Sequence, residues 1–211
     1  MIIKRFIDFV NEAYLKGSRA PLYHFTAKLQ NIIYSDKLLT SRPSRPSHNK
    51  ERSISLTRNI NYIEYKGFPC IELDIDELKS DGIKVFPVDE WAWTKTGEPN
   101  KDVIKKYHMG KANFKEIKSG KRGTSHGLNL PKNPTLEIEF EERIFKNIDN
   151  VGKYIISIYL QKHSLERLEK EIHNYLKKYP HIKIYLYNTD IRKGKDITEE
   201  ILKVREPEKV K

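Results

Sequence analysis

Cysteine is almost missing from these 211 residues: Cys70 stands alone. That excludes an intrachain disulfide and a cysteine-based zinc site, and it fits a reducing compartment, so a cytoplasmic location is expected. Long apolar runs are missing too. No stretch approaches the roughly 18 apolar residues of a membrane span, and the opening Met1-Ile-Ile-Lys-Arg-Phe-Ile-Asp-Phe-Val mixes charge with apolar residues, unlike a secretory leader; no membrane partner is expected. A phosphate-cradling glycine loop is absent, because Gly120-Lys-Arg-Gly-Thr-Ser has neither the preceding strand nor the spacing. There is no His-x-x-x-His and no clustered Asp pair, so no metal site is expected and a nuclease ranks last among the readings. What remains is sufficient for a core: 37% of residues are hydrophobic, in a chain the size of one domain with appendages.

Negative charge is also in short supply. Forty Lys and Arg face 29 Asp and Glu, a net charge of +11. The excess is concentrated, since residues 101–133 hold nine Lys or Arg against Asp102 and Glu116. Tyr107, His108 and Phe114 are interleaved there and offer flat faces for base stacking, so nucleic acid is an expected partner or substrate. A solvated lysine-rich loop fits the same run.

Residues 1–17 read as an amphipathic helix, with Phe6, Phe9, Val10, Ala13 and Tyr14 on one stripe before Gly17-Ser18. A main domain follows over 18–193, with a basic, loop-rich insertion at 94–135 and a charged tail at 194–211 that should fray. Within the domain, residues 22–26 read as a strand, and Leu29, Ile32, Ile33 and Leu38 or Leu39 recur at helical spacing after it. Further strands are expected at 53–59, 70–75, 84–88, 136–145, 154–160 and 182–187. Helices are expected at 77–79, capped by Asp76, and at 164–178. Short strands with a few irregularly placed helices make an α+β domain.

Two strands carry polar faces that need a reason. Residues two apart project from one side of a strand, which pairs His24 with Thr26 and, in the next segment, Ser53 with Ser55 and Thr57. The same period sets Glu137, Glu139 and Glu141 on one face while Leu136, Ile138 and Phe140 take the other. Like charges on one face repel. A solvated edge strand tolerates them; carboxylates entering a cleft would instead stabilise positive charge developing on a substrate.

Taken in order, Leu22-Tyr-His-Phe-Thr with Asn31-Ile-Ile, then Ser53-Ile-Ser-Leu-Thr-Arg58-Asn, then Glu139-Phe140-Glu141 resemble the three strand motifs of the ADP-ribosyltransferase superfamily. The likeness is to its PARP-like and diphtheria-toxin-like members, and Glu142-Arg143-Ile144 is similar to phage-borne and DarT-like relatives. It covers roughly residues 20–190 and implies a split, two-sheet α+β fold with NAD as substrate in the cleft.

By this resemblance His24 and Thr26 would bond the riboses and nicotinamide amide, beside Ser55 and Thr57 of the second strand. Tyr62 or Tyr65 would stack on nicotinamide and Arg58 would meet the pyrophosphate. Glu141 would be the catalytic carboxylate and Glu139 would orient or deprotonate the acceptor, with Glu142 the rival for the first role if the register differs by one. The loop at 117–135 holds the acceptor-recognition position, where Lys118, Lys121, Arg122 and His126 favour an anionic, nucleic-acid acceptor over a protein side chain. His24 stands where arginine-specific members have Arg, while Glu-x-Glu matches theirs, which leaves the acceptor undecided. A toxin-type or phage-type effector modifying nucleic acid or a nucleic-acid-associated protein is implied, with an antitoxin or a phage head as further partner. RNA 2′-phosphotransfer on the same fold and a non-enzymatic basic nucleic-acid-binding module remain the alternatives.

Overall fold

The computed structural model describes residues 21–41, 52–60, 67–87 and 141–203, with Pro87 and Glu141 described by backbone alone. The expected N-terminal helix, the basic insertion and the strand stretch 136–140 lie outside the described residues.

Apolar alternation builds the strands. β1 (Leu22–Phe25), β3 (Ile54–Thr57), β4 (Cys70–Leu73), β6 (Glu141–Ile144), β8 (Ile155–Leu160) and β9 (Lys183–Leu186) form the body of an eight-stranded sheet. The short β5 (Phe86–Pro87) and β10 (Lys195–Asp196) close its edges, in the order β10-β9-β8-β4-β1-β3-β6-β5. Of its joins only β8–β9 is parallel. A crossover through a helix is what parallel neighbours require, and α3 (Lys162–Lys178) supplies it. β2 (Lys37–Leu38) and β7 (Ile148–Asp149) form a separate two-stranded ribbon.

One join is far weaker than its neighbours. β1 meets β4 through four residue pairs and β3 meets β6 through four, but β1 meets β3 only at Tyr23↔Thr57. The α+β sheet is therefore continuous, an eight-stranded whole where two separate sheets were expected, with its thinnest backbone pairing at this β1–β3 seam.

The main core lies on the sheet face bearing Leu22, Ile54, Leu56, Ile71, Leu73, Ile144, Ile158 and Ile184. Helix α1 (Leu29–Ser35) packs Leu29, Ile32 and Ile33 into it, α3 adds Leu168, Ile172, Tyr175 and Leu176, and α2 (Ile75–Ser80) adds Leu78. The opposite face carries a smaller cluster of Tyr23, Cys70, Tyr187 and Ile191, with Phe25, Ile60 and Tyr159 against it.

Three local expectations change. Leu38, read at helical spacing, lies in β2, because the chain turns through the left-handed conformation at Asp36 after α1. Asp74, and not Asp76, caps α2, accepting from the Asp76 and Glu77 amides. The strand β4 ends two residues earlier than the apolar pattern suggests, which leaves Asp74 in the extended conformation a cap needs. Residues 194–203 do not fray as expected, because Ile197 and Ile201 of the α4 region (helix Thr198–Leu202) are buried in the main core. Two apolar residues among many charged ones suffice to dock it.

Candidate active site

The strands bearing the sequence motifs meet at the seam, but the register divides their side chains: His24, the partner of Ile71 on β4, shares the core-facing side with Leu56 and Glu142, while Thr57 and Glu141 take the other. β1, β3 and β6, far apart along the chain, are consecutive strands in the sheet. Cross-strand partners share a face, so the register Thr57↔Glu141 and Ser55↔Arg143 puts those four positions on one side, together with Tyr23 opposite Thr57. Leu56↔Glu142 and Ile54↔Ile144 take the other, core-facing side.

His24 fills the place where the ladder stops. Its half-buried ring sends Nδ1 to the Ser55 carbonyl at 2.8 Å, across the gap between β1 and β3. A carbonyl oxygen can only accept, so Nδ1 carries the proton and the neutral ring presents Nε2 as an acceptor. Burial lowers its pKa from the ordinary histidine value, the Ser55 bond opposing this only in part, so the ring is neutral near pH 7.

Thr26 does not continue the strand alongside His24. β1 ends at Phe25, and Thr26 makes a turn: its amide donates to the Pro69 carbonyl at 2.9 Å, and its hydroxyl accepts from the Lys28 amide at 2.9 Å. Thr57 is similarly engaged. Its hydroxyl accepts from the Asn59 amide at 2.9 Å, and its side chain is nearly sealed at 1% exposure. That bond bends the chain as it leaves β3 and carries Arg58 to the core side.

Arg58 and Glu142 meet there. The Arg58 Nε donates to Glu142 Oε2, and Nη2 lies 3.4 Å from Oε1, with the carboxylate wholly buried. The two candidates assigned to pyrophosphate and to the rival catalytic role are therefore partners of one another. They lie on the face opposite Ser55 and Arg143.

Arg143 is the residue that sequence reasoning quoted in a motif and gave no task. It is 6% exposed, with Nη1 at 3.4 Å from the Ser53 hydroxyl, on the same face as Ser55. The signal was present: Arg143 has the same parity as Glu139 and Glu141, so the period that grouped the carboxylates also placed a guanidinium beside them. Tyr62, Tyr65, Lys118, Lys121, Arg122, His126 and Glu139 lie outside the described residues. Among the described residues no cluster of His, Cys, Asp or Glu is arranged to hold a metal ion, and no helix is long and apolar enough to cross a membrane.

Fold and site together define an α+β domain whose motif-bearing strands flank a thinly paired seam in the sheet. No family model matches the chain, and neither does any curated protein. Among solved structures it is similar to DarT of Thermus sp. 2.9 in complex with carba-NAD+, at 14% identity over 82% of this chain and 97% of that one, with a TM-score of 0.43. The same protein in complex with NAD+ matches at 14% identity, 80% and 95% coverage and a TM-score of 0.42. In complex with ADP-ribosylated ssDNA it matches at 13%, 80% and 94%, and 0.43.

Proposed function

We propose that this chain is a NAD-dependent ADP-ribosyltransferase whose acceptor is nucleic acid. The observation that carries the reading is the sheet order: the His24 strand, the Ser55–Thr57 strand and the Glu141 strand are neighbours at a thinly paired seam. A substrate spanning the three strands would draw on all three motifs.

In this reading His24 Nε2 accepts from a ribose hydroxyl, its geometry held by the Nδ1 bond to Ser55. The Ser55 hydroxyl can donate or accept at the substrate amide or ribose. The bond between nicotinamide nitrogen and ribose C1′ breaks, its electron pair leaving with nicotinamide, and the sugar becomes oxocarbenium-like. In the same reading Glu141 stabilises that charge through the ribose hydroxyl, as a carboxylate does in glycoside chemistry. The acceptor then attacks C1′, and its proton goes to Glu139. The acceptor assignment rests on the basic run at 101–133 and on Lys118, Lys121, Arg122 and His126 within it.

The test is release of nicotinamide from NAD, with single-stranded DNA and RNA offered as acceptors. Wild-type release that falls by about a thousandfold or more in Glu141→Gln, on the scale of a lost electrostatic stabiliser, is the expected outcome. Unimpaired release in a folded Glu141→Gln variant removes that residue from the chemistry. Salt-sensitive nucleic-acid binding with no NAD turnover would leave the non-enzymatic binding module in its place.

A further inference from the structure

We infer that the Arg58–Glu142 ion pair is a register lock: it keeps Glu141, and not Glu139, opposite Thr57. The inference deepens the proposed function where it concerns Glu141, but the register claim stands on the fold alone.

The pair is an odd thing to keep. Its side chains are 3% and 0% exposed, in a core otherwise lined by Ile54, Leu56 and Ile144. Buried ion pairs contribute little net stability, since desolvation offsets their attraction, and apolar residues of similar volume serve as well or better. Their best-attested use is to mark one arrangement among several that packing alone leaves equivalent.

Such an ambiguity exists at β6. A slip by one residue would turn the polar set Glu139, Glu141 and Arg143 into the core, so alternation excludes it. A slip by two preserves the faces. In one direction it sets Lys146 against Ile54, which is 1% exposed, and the buried lysine forbids it. In the other it exchanges Phe140 for Glu142 opposite Leu56 and brings Glu139 opposite Thr57, and apolar patterning has no objection to Phe140 there.

That second slip meets two obstacles: it would break the β5 pairing of Phe86↔Arg143 and Pro87↔Glu142 and carry the buried Ile144 past Ile54, and it would part the ion pair. Glu142 would move opposite Ile54, two pairs away from Arg58, leaving both charges buried and apart. Arg58 follows directly on Thr57, and Glu142 follows directly on Glu141, so the pair fixes the two residues that must face each other on the opposite side of the sheet. Arg58 and Glu142 are positioning residues.

The experiment is the double variant Arg58→Met with Glu142→Leu, which replaces the pair by apolar side chains and makes the β6 core stripe uniform. Its urea midpoint should equal or exceed that of the wild type. Amide hydrogen exchange of Glu141–Ile144 should nonetheless lose at least tenfold in protection, because two registers are then populated. Wild-type protection in the double variant overturns the lock. Should the double variant not fold, Glu142→Gln gives the same reading, with protection lost first in β6 if the lock holds and uniformly with global stability if it does not. In the activity arm, kcat for nicotinamide release should fall at least tenfold in the double variant with KM for NAD within about twofold. A pair that merely supports the fold would let the restabilised variant regain full turnover. Absence of NAD turnover in the wild type would remove the enzymatic reading while the exchange arm still decides the register.

Discussion

The imidazole of His24 bridges a gap that the β1–β3 ladder leaves open, and burial holds its pKa below the usual 6.5. The consequence for stability has a definite sign. As pH falls through about 6.5 the unfolded chain takes up a proton that the folded ring refuses, so stability is full above that pH and declines below it, levelling only beneath the depressed folded pKa. His24→Asn keeps a donor near the Nδ1 position and removes the titration. Urea denaturation at pH 7.5 and pH 5.5 should show a larger acid loss in the wild type than in this variant; equal losses would remove His24 from the pH dependence. The same change deletes the Nε2 acceptor. KM for NAD should rise about tenfold, the value of one hydrogen bond of ~1.4 kcal/mol, with the fold intact. The presence of His24 at a strand end was legible in the sequence. Which nitrogen carries the proton was not, because that depends on a carbonyl 31 residues away.

At the scale of elements, the turn between α1 and β2 is held by a single carboxylate. Asp36 adopts the left-handed conformation at φ 52°, and its oxygens accept from the Gly152 amide at 3.0 Å, Tyr175 at 2.8 Å, Lys178 at 2.8 Å and the Tyr179 hydroxyl. One side chain thereby ties the α1–β2 turn to the segment before β8 and to the end of α3. Burial pushes its pKa upward, but the donors from Lys178, Tyr179, Gly152 and Tyr175 outweigh it and hold the carboxyl below the usual value of 3.8. Its contribution is therefore present above about pH 4 and lost as pH falls further. Asp36→Asn tolerates the left-handed backbone but turns an amide toward donors; it should cost about 3 kcal/mol in urea denaturation and flatten the response below pH 4. Gly152 has a steric reason at the same junction, since a Cβ there would meet the Tyr179 ring at 2.2 Å. Gly152→Ala should lower stability by about 2 kcal/mol, and a neutral result would show that Tyr179 moves aside at no cost. Helical spacing made α1 and α3 readable from the chain. The hub between them was invisible, because one Asp at a helix end looks like any other until its four donors arrive from distant segments.

At the scale of the whole molecule, the net charge of +11 argues for a polyanionic partner, and the argument is quantitative. Each phosphate contact to single-stranded nucleic acid steepens the dependence of log K on log salt by about 0.7. Replacing Lys118, Lys121 and Arg122 by Gln should therefore lower the slope for single-stranded DNA by about 2, as read by fluorescence anisotropy between 50 and 200 mM salt. An unchanged slope would place the nucleic-acid contact elsewhere on the chain.

The amino-acid order alone determined the longer strands and helices, because period 2 and period 3.6 are local properties of neighbouring residues, and it brought the His24, Ser55–Thr57 and Glu141 motifs to notice; the short β2, β7 and β10 and the helix at 198–202 carry too few residues to show a period. Local pattern also sorted Glu141 from Glu142 by face. Only the tertiary structure decided that β1 and β3 part after one pair, that Arg58 turns to Glu142 across 84 residues, that Thr26 and Thr57 close turns, and that Arg143 joins the Ser55 face. Strand partners are chosen by burial and register across the whole sheet, and no window of sequence contains that information.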